Sequence, residues 1–157
     1  AYNNKIMYRE DTKSYRISFA NSIENPKFME KYGFKPRKTY NPIDFSVFKD
    51  YNKELLLALL IGIIDGDGSI QPNGSSNAFC ITITAHESWT QFYQEFMEIL
   101  DIPEHISNRK GSTTITIRIY RREILQLLQD VITNNNLFHL KRKWNKLMIK
   151  EPSASES

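Results

Sequence analysis

LLIGIIDGDGSI, residues 59–70, runs an apolar helical stretch with a glycine inside it, Gly62, straight into two aspartates separated by one glycine, Asp65 and Asp67. The stretch begins earlier. LLLALLIGII, residues 55–64, is apolar on every side of a helix, which predicts burial all round rather than a single apolar stripe. Asp50 or Asn52 is placed to cap its start. Ala58, Gly62 and Gly66 fall four apart, and positions four apart stack on one helix face, so a groove without side chains runs along it. A glycine in a helix interior costs about 1 kcal/mol relative to alanine. Close approach of a second helix offsets that loss, by the small-xxx-small logic of tightly packed helices; a bulky core neighbour at Gly62 would do so equally well.

Asp65 and Asp67 stand at the end of this helix, where carboxylates face the negative end of the macrodipole. A nearby cation reverses the sign of that interaction. Asp-Gly pairs are also ordinary turn formers. It is the sequence of fully apolar helix, small-residue groove and acids that points further. A second such helix packed along the groove brings two sets of carboxylates together, a hard oxygen site that suits Mg²⁺ with waters filling the remaining positions.

Downstream, GSIQ and AFCITITA read as strands joined by PNGSSN, whose Asn-Gly is a hairpin signal. SWTQFYQEFMEIL follows as a helix, with Ser88 and Gln91 as a capping box and Trp89, Phe92, Phe96, Ile99 and Leu100 as one apolar face. HISNRKGSTTITIRIY forms a second hairpin turning near Lys110-Gly111, and REILQLLQDVI and LKRKWNKLMIK close the chain as helices. Upstream, SYRISF (14–19) reads as a strand and NPKFMEKYGF (25–34) as a short helical piece. The order of elements predicts an α+β fold with an antiparallel sheet.

Strand side chains alternate, so Ile115, Ile117 and Ile119 share one face while Thr116, Arg118 and Tyr120 share the other. Cys80, Thr82 and Thr84 alternate in the same way. The polar face is either solvated or laid against nucleic acid, with arginine on guanine or phosphate and the hydroxyls adding hydrogen bonds. Lys141, Arg142, Lys143 and Lys146 form a basic cluster beside Trp144, again a solvated helix end or a polyanion contact. His86, His105 and His139 lack metal-ligand spacing and read as structural or surface residues.

Composition sets wide bounds. A chain of 157 residues that is 40% hydrophobic is long enough for one packed domain, and a net charge of +3 permits a polyanion partner without requiring one. Cys80 is the single cysteine, so no intramolecular disulfide or cysteine-based zinc site forms. The N-terminus lacks the pattern of a signal peptide and Leu55–Ile64 is too short to span a bilayer, so the expectation is no membrane partner and an intracellular protein, in the cytoplasm or in a nucleoid or organelle DNA compartment.

LIGIIDGDG, Leu60–Gly68, resembles the motif that names the LAGLIDADG homing endonucleases, matching at its leucine, first glycine, Ile-Asp pair and final Asp-Gly. The resemblance extends over residues 55 to about 148, whose elements follow the order of one αββαββα LAGLIDADG half-domain. It implies a site-specific double-stranded DNA endonuclease that hydrolyses phosphodiester bonds with Mg²⁺, in staggered cuts across the minor groove. By the same resemblance Asp67 is the catalytic, metal-binding acid and Asp65 a structural acid at the helix end. Ala58, Gly62 and Gly66 pack the motif helix. Lys141, from the LK.K pattern, is the lysine near the metal, where it would polarise the water network or stabilise the charge of the transition state. Thr82, Thr84, Arg118, Tyr120 and Lys143 are candidate DNA contacts.

YRISFANSIENPKFMEKYGFKPRKTY (15–40) and IRIYRREILQLLQDVITNNNLFHLKRKW (117–144) both run from an Arg-Ile strand through a helical piece into phenylalanine, a basic cluster and an aromatic, as an internal repeat does. Four segments are therefore expected: 1–40 as the C-terminal part of a first repeat, 41–51 as a connector, 52–150 as a complete repeat and 151–157 as a disordered tail. The alternative makes 1–50 an unrelated extension. One motif supplies one motif helix, and its partner helix comes from a complementary chain or from a homodimer mate. Two other functions compete with the nuclease: a non-catalytic DNA- or RNA-binding protein on the same fold, such as a maturase or transcription regulator, and a basic α+β interaction domain that dimerises through its apolar helix.

Overall fold

The computed structural model describes residues 5–11, 14–18, 27, 30, 31, 33, 39–74, 78–103 and 105–147. Expectations for the helical piece at 25–34 and the tail at 151–157 fall largely or wholly outside these residues.

Two strands come first, β1 (Lys5–Arg9) and β2 (Ser14–Ser18), paired antiparallel as a separate two-stranded sheet. The helix read from the opening stretch is α1, Lys53–Asp67. Asn52 starts it, its side-chain oxygen accepting the Leu55 N–H at 2.9 Å, and Glu54 in the first turn complements the dipole. α1 runs two residues past Asp65 and passes straight into β3 (Gly68–Pro72). That turn is tight. A Cβ on Gly68 would lie 2.8 Å from both Cα and O of Ile64, closer than any side chain tolerates.

The rest follows as β4 (Phe79–His86), α2 (Thr90–Leu100), β5 (His105–Asn108), β6 (Thr114–Ile119), α3 (Arg122–Asn134) and the single-turn α4 (Lys141–Trp144). The strands form one antiparallel sheet in the order β3-β4-β6-β5. From β3 to α3 the architecture is the α+β half-domain expected from the sequence. The register puts Ile70, Ile81, Ile83, Ile115, Ile117 and Ile119 on one face, all buried. Against them pack Leu60 and Ile64 of α1, Phe96 and Leu100 of α2, Leu128 of α3 and Trp144 of α4 in a single core. Each such side chain contributes roughly 1.5–3 kcal/mol relative to exposure.

Two local expectations are corrected. Ser88 does not cap α2: a 3₁₀ turn at Glu87–Trp89 precedes the helix, and the Ser88 hydroxyl sits 3.0 Å from His86 Nδ1 and donates to the Thr39 carbonyl at 3.2 Å. Ile99 is 46% exposed, and Tyr93 and Met97 take its place on the buried face. The segment 41–51 also does more than connect. Its 3₁₀ turn, Phe45–Phe48, is capped by Asp44 and inserts Phe45 among Phe48, Phe92 and Phe96.

Candidate functional site

At the end of α1 the Gly68 N–H still reaches the Ile64 carbonyl, but the carbonyls after it lack a helical partner. Lys143 supplies one. Its ammonium donates to the carbonyls of Ile64 at 2.8 Å, Asp65 at 2.7 Å and Gly68 at 2.6 Å, a cation seated on the negative end of the helix dipole. Burial lowers its pKa from the ordinary lysine value, and the neighbouring Arg142 charge adds to this; Asp65 and Asp67 act in the opposite sense. The Asp65 carboxylate ties the same two elements together. One oxygen accepts the Trp144 indole N–H at 2.8 Å and the other accepts the Leu140 backbone N–H at 2.9 Å. Asp65 and Lys143 thus form a reciprocal latch, carboxylate to α4 and ammonium to α1.

This geometry corrects the expected DNA contact at Lys143. The side chain is buried and its three N–H donors already have acceptors, so none is left for a phosphate. Lys141, at the start of α4, is exposed and makes no hydrogen bond or ion pair with Asp67. No sequence signal marks the difference. Helical spacing places Lys141 one turn from the buried Trp144 and would favour it; only the route of α4 past the end of α1 brings Lys143 to the carbonyls.

Asp67 is different from Asp65. It is exposed and accepts no hydrogen bond among the described residues. It lies on the rim of a cavity of about 470 Å³ bordered by Leu59 and Ile63 of α1, by Thr84, Ala85 and His86 at the end of β4, and by Trp89 and Tyr93. Burial, and then the Asp67 charge, push the Tyr93 hydroxyl up to about 12. Sequence reading missed Tyr93 because it falls in the apolar pattern of α2, where a tyrosine reads as core.

The small-residue face of α1 is open. A Cβ added at Gly62 or Gly66 meets no atom within 4 Å, Leu55 is 54% exposed and Ala58 is half-buried. Among the described residues, burial on every side of α1 is therefore not reached: Leu56, Leu57, Leu60, Ile61 and Ile64 face the core, and the groove meets no covering side chain.

The register settles the sheet's polar face. Ser69, Thr82, Arg118 and His105 are paired neighbours across all four strands, and Thr84 and Thr116 pair in the next polar row. Thr82 and Thr84 therefore do share a face with Arg118, opposite the buried isoleucines. Tyr120 follows just beyond β6 and is 52% exposed. Thr84 also borders the Asp67 cavity, so the free carboxylate stands at the margin of this polar surface.

Residues 54–133 match the family model described as LAGLIDADG-like domain, from the first turn of α1 to the end of α3. The chain belongs to the LAGLIDADG family. Asp65, Asp67, the open groove and the polar sheet face all lie inside the matched LAGLIDADG-like domain; β1, β2 and the latch residue Lys143 lie outside it. Solved structures similar to the chain include the LAGLIDADG meganuclease I-AabMI bound to uncleaved DNA, 20% identical over 52% of this chain and 30% of that one, with a TM-score of 0.41. The homing endonuclease I-CvuI, in complex with a DNA target in the presence of Mg, is 15% identical over 63% and 65% of the two chains, TM-score 0.45. An I-DmoI variant with its target DNA nicked in one strand and in the presence of Mn is 22% identical over 62% and 59%, TM-score 0.43. The chain thus spans less than two thirds of the length of these structures. No curated protein sequence matches it.

No helix among the described residues is long and apolar enough to cross a membrane.

Proposed function

We propose that this chain supplies one half of a site-specific, Mg²⁺-dependent double-stranded DNA endonuclease. The observation that carries the reading is the division of labour between the two motif acids. Both Asp65 oxygens are engaged by α4, whereas Asp67 is exposed, unbonded and at the edge of a polar sheet face of threonines and Arg118. DNA lying on that face presents a phosphate to Asp67.

The donor chemistry fits a hard cation. Among the described residues no three His, Cys, Asp or Glu side chains cluster, and Asp67 is the motif carboxylate left without a hydrogen bond there. Mg²⁺ sites at phosphates use one or two carboxylates and keep several waters. A divalent ion there supplies a polarised phosphoryl oxygen and a more acidic water. Asp67 holds it, Lys143 and Asp65 fix the backbone that carries Asp67, and the sheet face orients the duplex. A second carboxylate comes with a second motif helix, from a complementary chain or a second copy, seated on the open Gly62–Gly66 groove.

One observation favours the non-catalytic reading: no lysine or arginine lines the Asp67 cavity among the described residues. Incubating the protein with a randomised duplex library and Mg²⁺, then sequencing cut ends, decides between them. The nuclease reading expects an enriched, recurring cut site. Enrichment by binding with no cut ends, in Mg²⁺ or Mn²⁺, would leave a DNA-binding protein.

A further inference from the structure

Between Asp130 and Glu151 the chain carries no aspartate or glutamate, but it carries Lys141, Arg142, Lys143, Lys146 and Lys150. Lys143 is committed to α1, whereas Lys141, Arg142 and Lys146 are exposed. The Asp65 carboxylate, which reaches this segment, has its oxygens engaged by Leu140 and Trp144 and does little to offset the charge. Beside these cations stands Phe138, 93% exposed.

A single exposed apolar residue is ordinary. This one is held out by a pinned loop. Asn136 turns the chain at a left-handed φ of 47°, and the Leu137 N–H donates back to the Ile132 carbonyl at 3.0 Å while its side chain packs against the core. Across Phe138, the His139 Nδ1 N–H donates to the Leu137 carbonyl at 2.8 Å, and the Leu140 N–H then donates to Asp65 at 2.9 Å. Backbone fixed before and after the ring leaves little ordering cost to oppose its insertion into a partner. The bond to Asp65 also sets the location. Phe138 is two residues from Leu140, a reach of at most about 7 Å, so it stands at the same end of α1 as Asp67.

The partner must bring negative charge and a slot for a flat apolar ring. Duplex DNA has both: a dense row of phosphates, and base steps that apolar side chains part by wedging between them. We infer that Phe138 is a wedge that opens one base step next to the phosphate at Asp67, while Lys141 and Arg142 hold the phosphates on either side. This rests on the DNA-binding reading above and adds a deformation to it. TA and CA steps unstack at least cost, so the bound site should carry one of them at the wedge.

The test uses the full chain without divalent metal, on a duplex selected by its own binding, with 2-aminopurine replacing one adenine at a time. Fluorescence of 2-aminopurine rises when its stacking is lost. At saturation one TA or CA step should brighten about threefold or more, with the other positions nearly unchanged. Phe138→Ala should abolish that signal and weaken binding about tenfold, and Phe138→Leu, still an apolar wedge, should keep part of the signal. An exposed ring contributes little to the fold, so both variants should melt with the parent. The inference is overturned if no step brightens, or if Phe138→Ala brightens the same step as the parent. It is also overturned if Phe138→Ala loses assembly in the absence of DNA, which would place a protein partner on the ring. A chain that opens the step and never cuts leaves this inference standing while the nuclease reading falls. A chain that cuts without opening any step does the reverse.

Discussion

Lys143 is the residue whose role differs most from its appearance in the sequence. Within a basic run it reads as a solvated or phosphate-binding lysine, but it closes the end of α1 through three carbonyls. Hydrogen bonds to a charged group contribute about 1.5–3 kcal/mol, and buried carbonyls left without a donor add a cost. Lys143→Met should therefore lower unfolding free energy by about 2–4 kcal/mol in urea titrations, while Lys141→Met, at an exposed position, should change it by less than about 0.5 kcal/mol. Equal effects would mean the latch is not what holds α4. Tyr93 gives a second test at this scale. Its folded pKa, about 12, lies above the unfolded value of 10.0, so the unfolded chain loses this proton first as pH rises. Stability from this group is complete below pH 10 and is lost between pH 10 and 12, by roughly 2–3 kcal/mol at the upper end. Tyr93→Phe should remove that part of the alkaline loss, measured by denaturant titration at pH 8 and pH 11.

At the scale of elements, α1 was legible because three signals agree: Asn52 as cap, an unbroken apolar run, and small residues four apart. Its open face was not, since an all-round apolar helix looks the same whether its last face is buried by its own chain or by another. The register of β4 against β6 was likewise beyond reach, because alternation assigns faces within a strand and only pairing joins Thr82 to Arg118. The 3₁₀ turn at Phe45–Phe48 is too short to show a period. The capping box at Ser88 failed because His86 and Thr39 compete for the same hydroxyl. The open face carries its own prediction. A Cβ at Gly62 meets open space, and leucine has a helix propensity nearly 1 kcal/mol better than glycine, so Gly62→Leu should leave the melting temperature of the free chain unchanged or higher. Sedimentation should show assembly lost. Normal assembly of the variant would mean that the groove is not the interface.

For the whole molecule, the element order from α1 to α3 followed from the hairpin signals and helix periods, and residues 54–133 bear the family's pattern. The hairpin of β1 and β2 forms its own two-stranded sheet, apart from the four-stranded one. What the sequence could not place was the open side of the site, where the groove, the Asp67 carboxylate and the cavity meet no covering element among the described residues. The central claim is that Asp67, and not Asp65, is the carboxylate that acts on DNA through a divalent ion. It is tested most directly by comparing parent and Asp67→Asn on one selected duplex, measuring binding by gel shift and cleavage in Mg²⁺ on the same samples. The account predicts binding within a few-fold of the parent and cleavage reduced by at least a hundredfold; an Asn variant that binds and cuts at the parent's rate would contradict it.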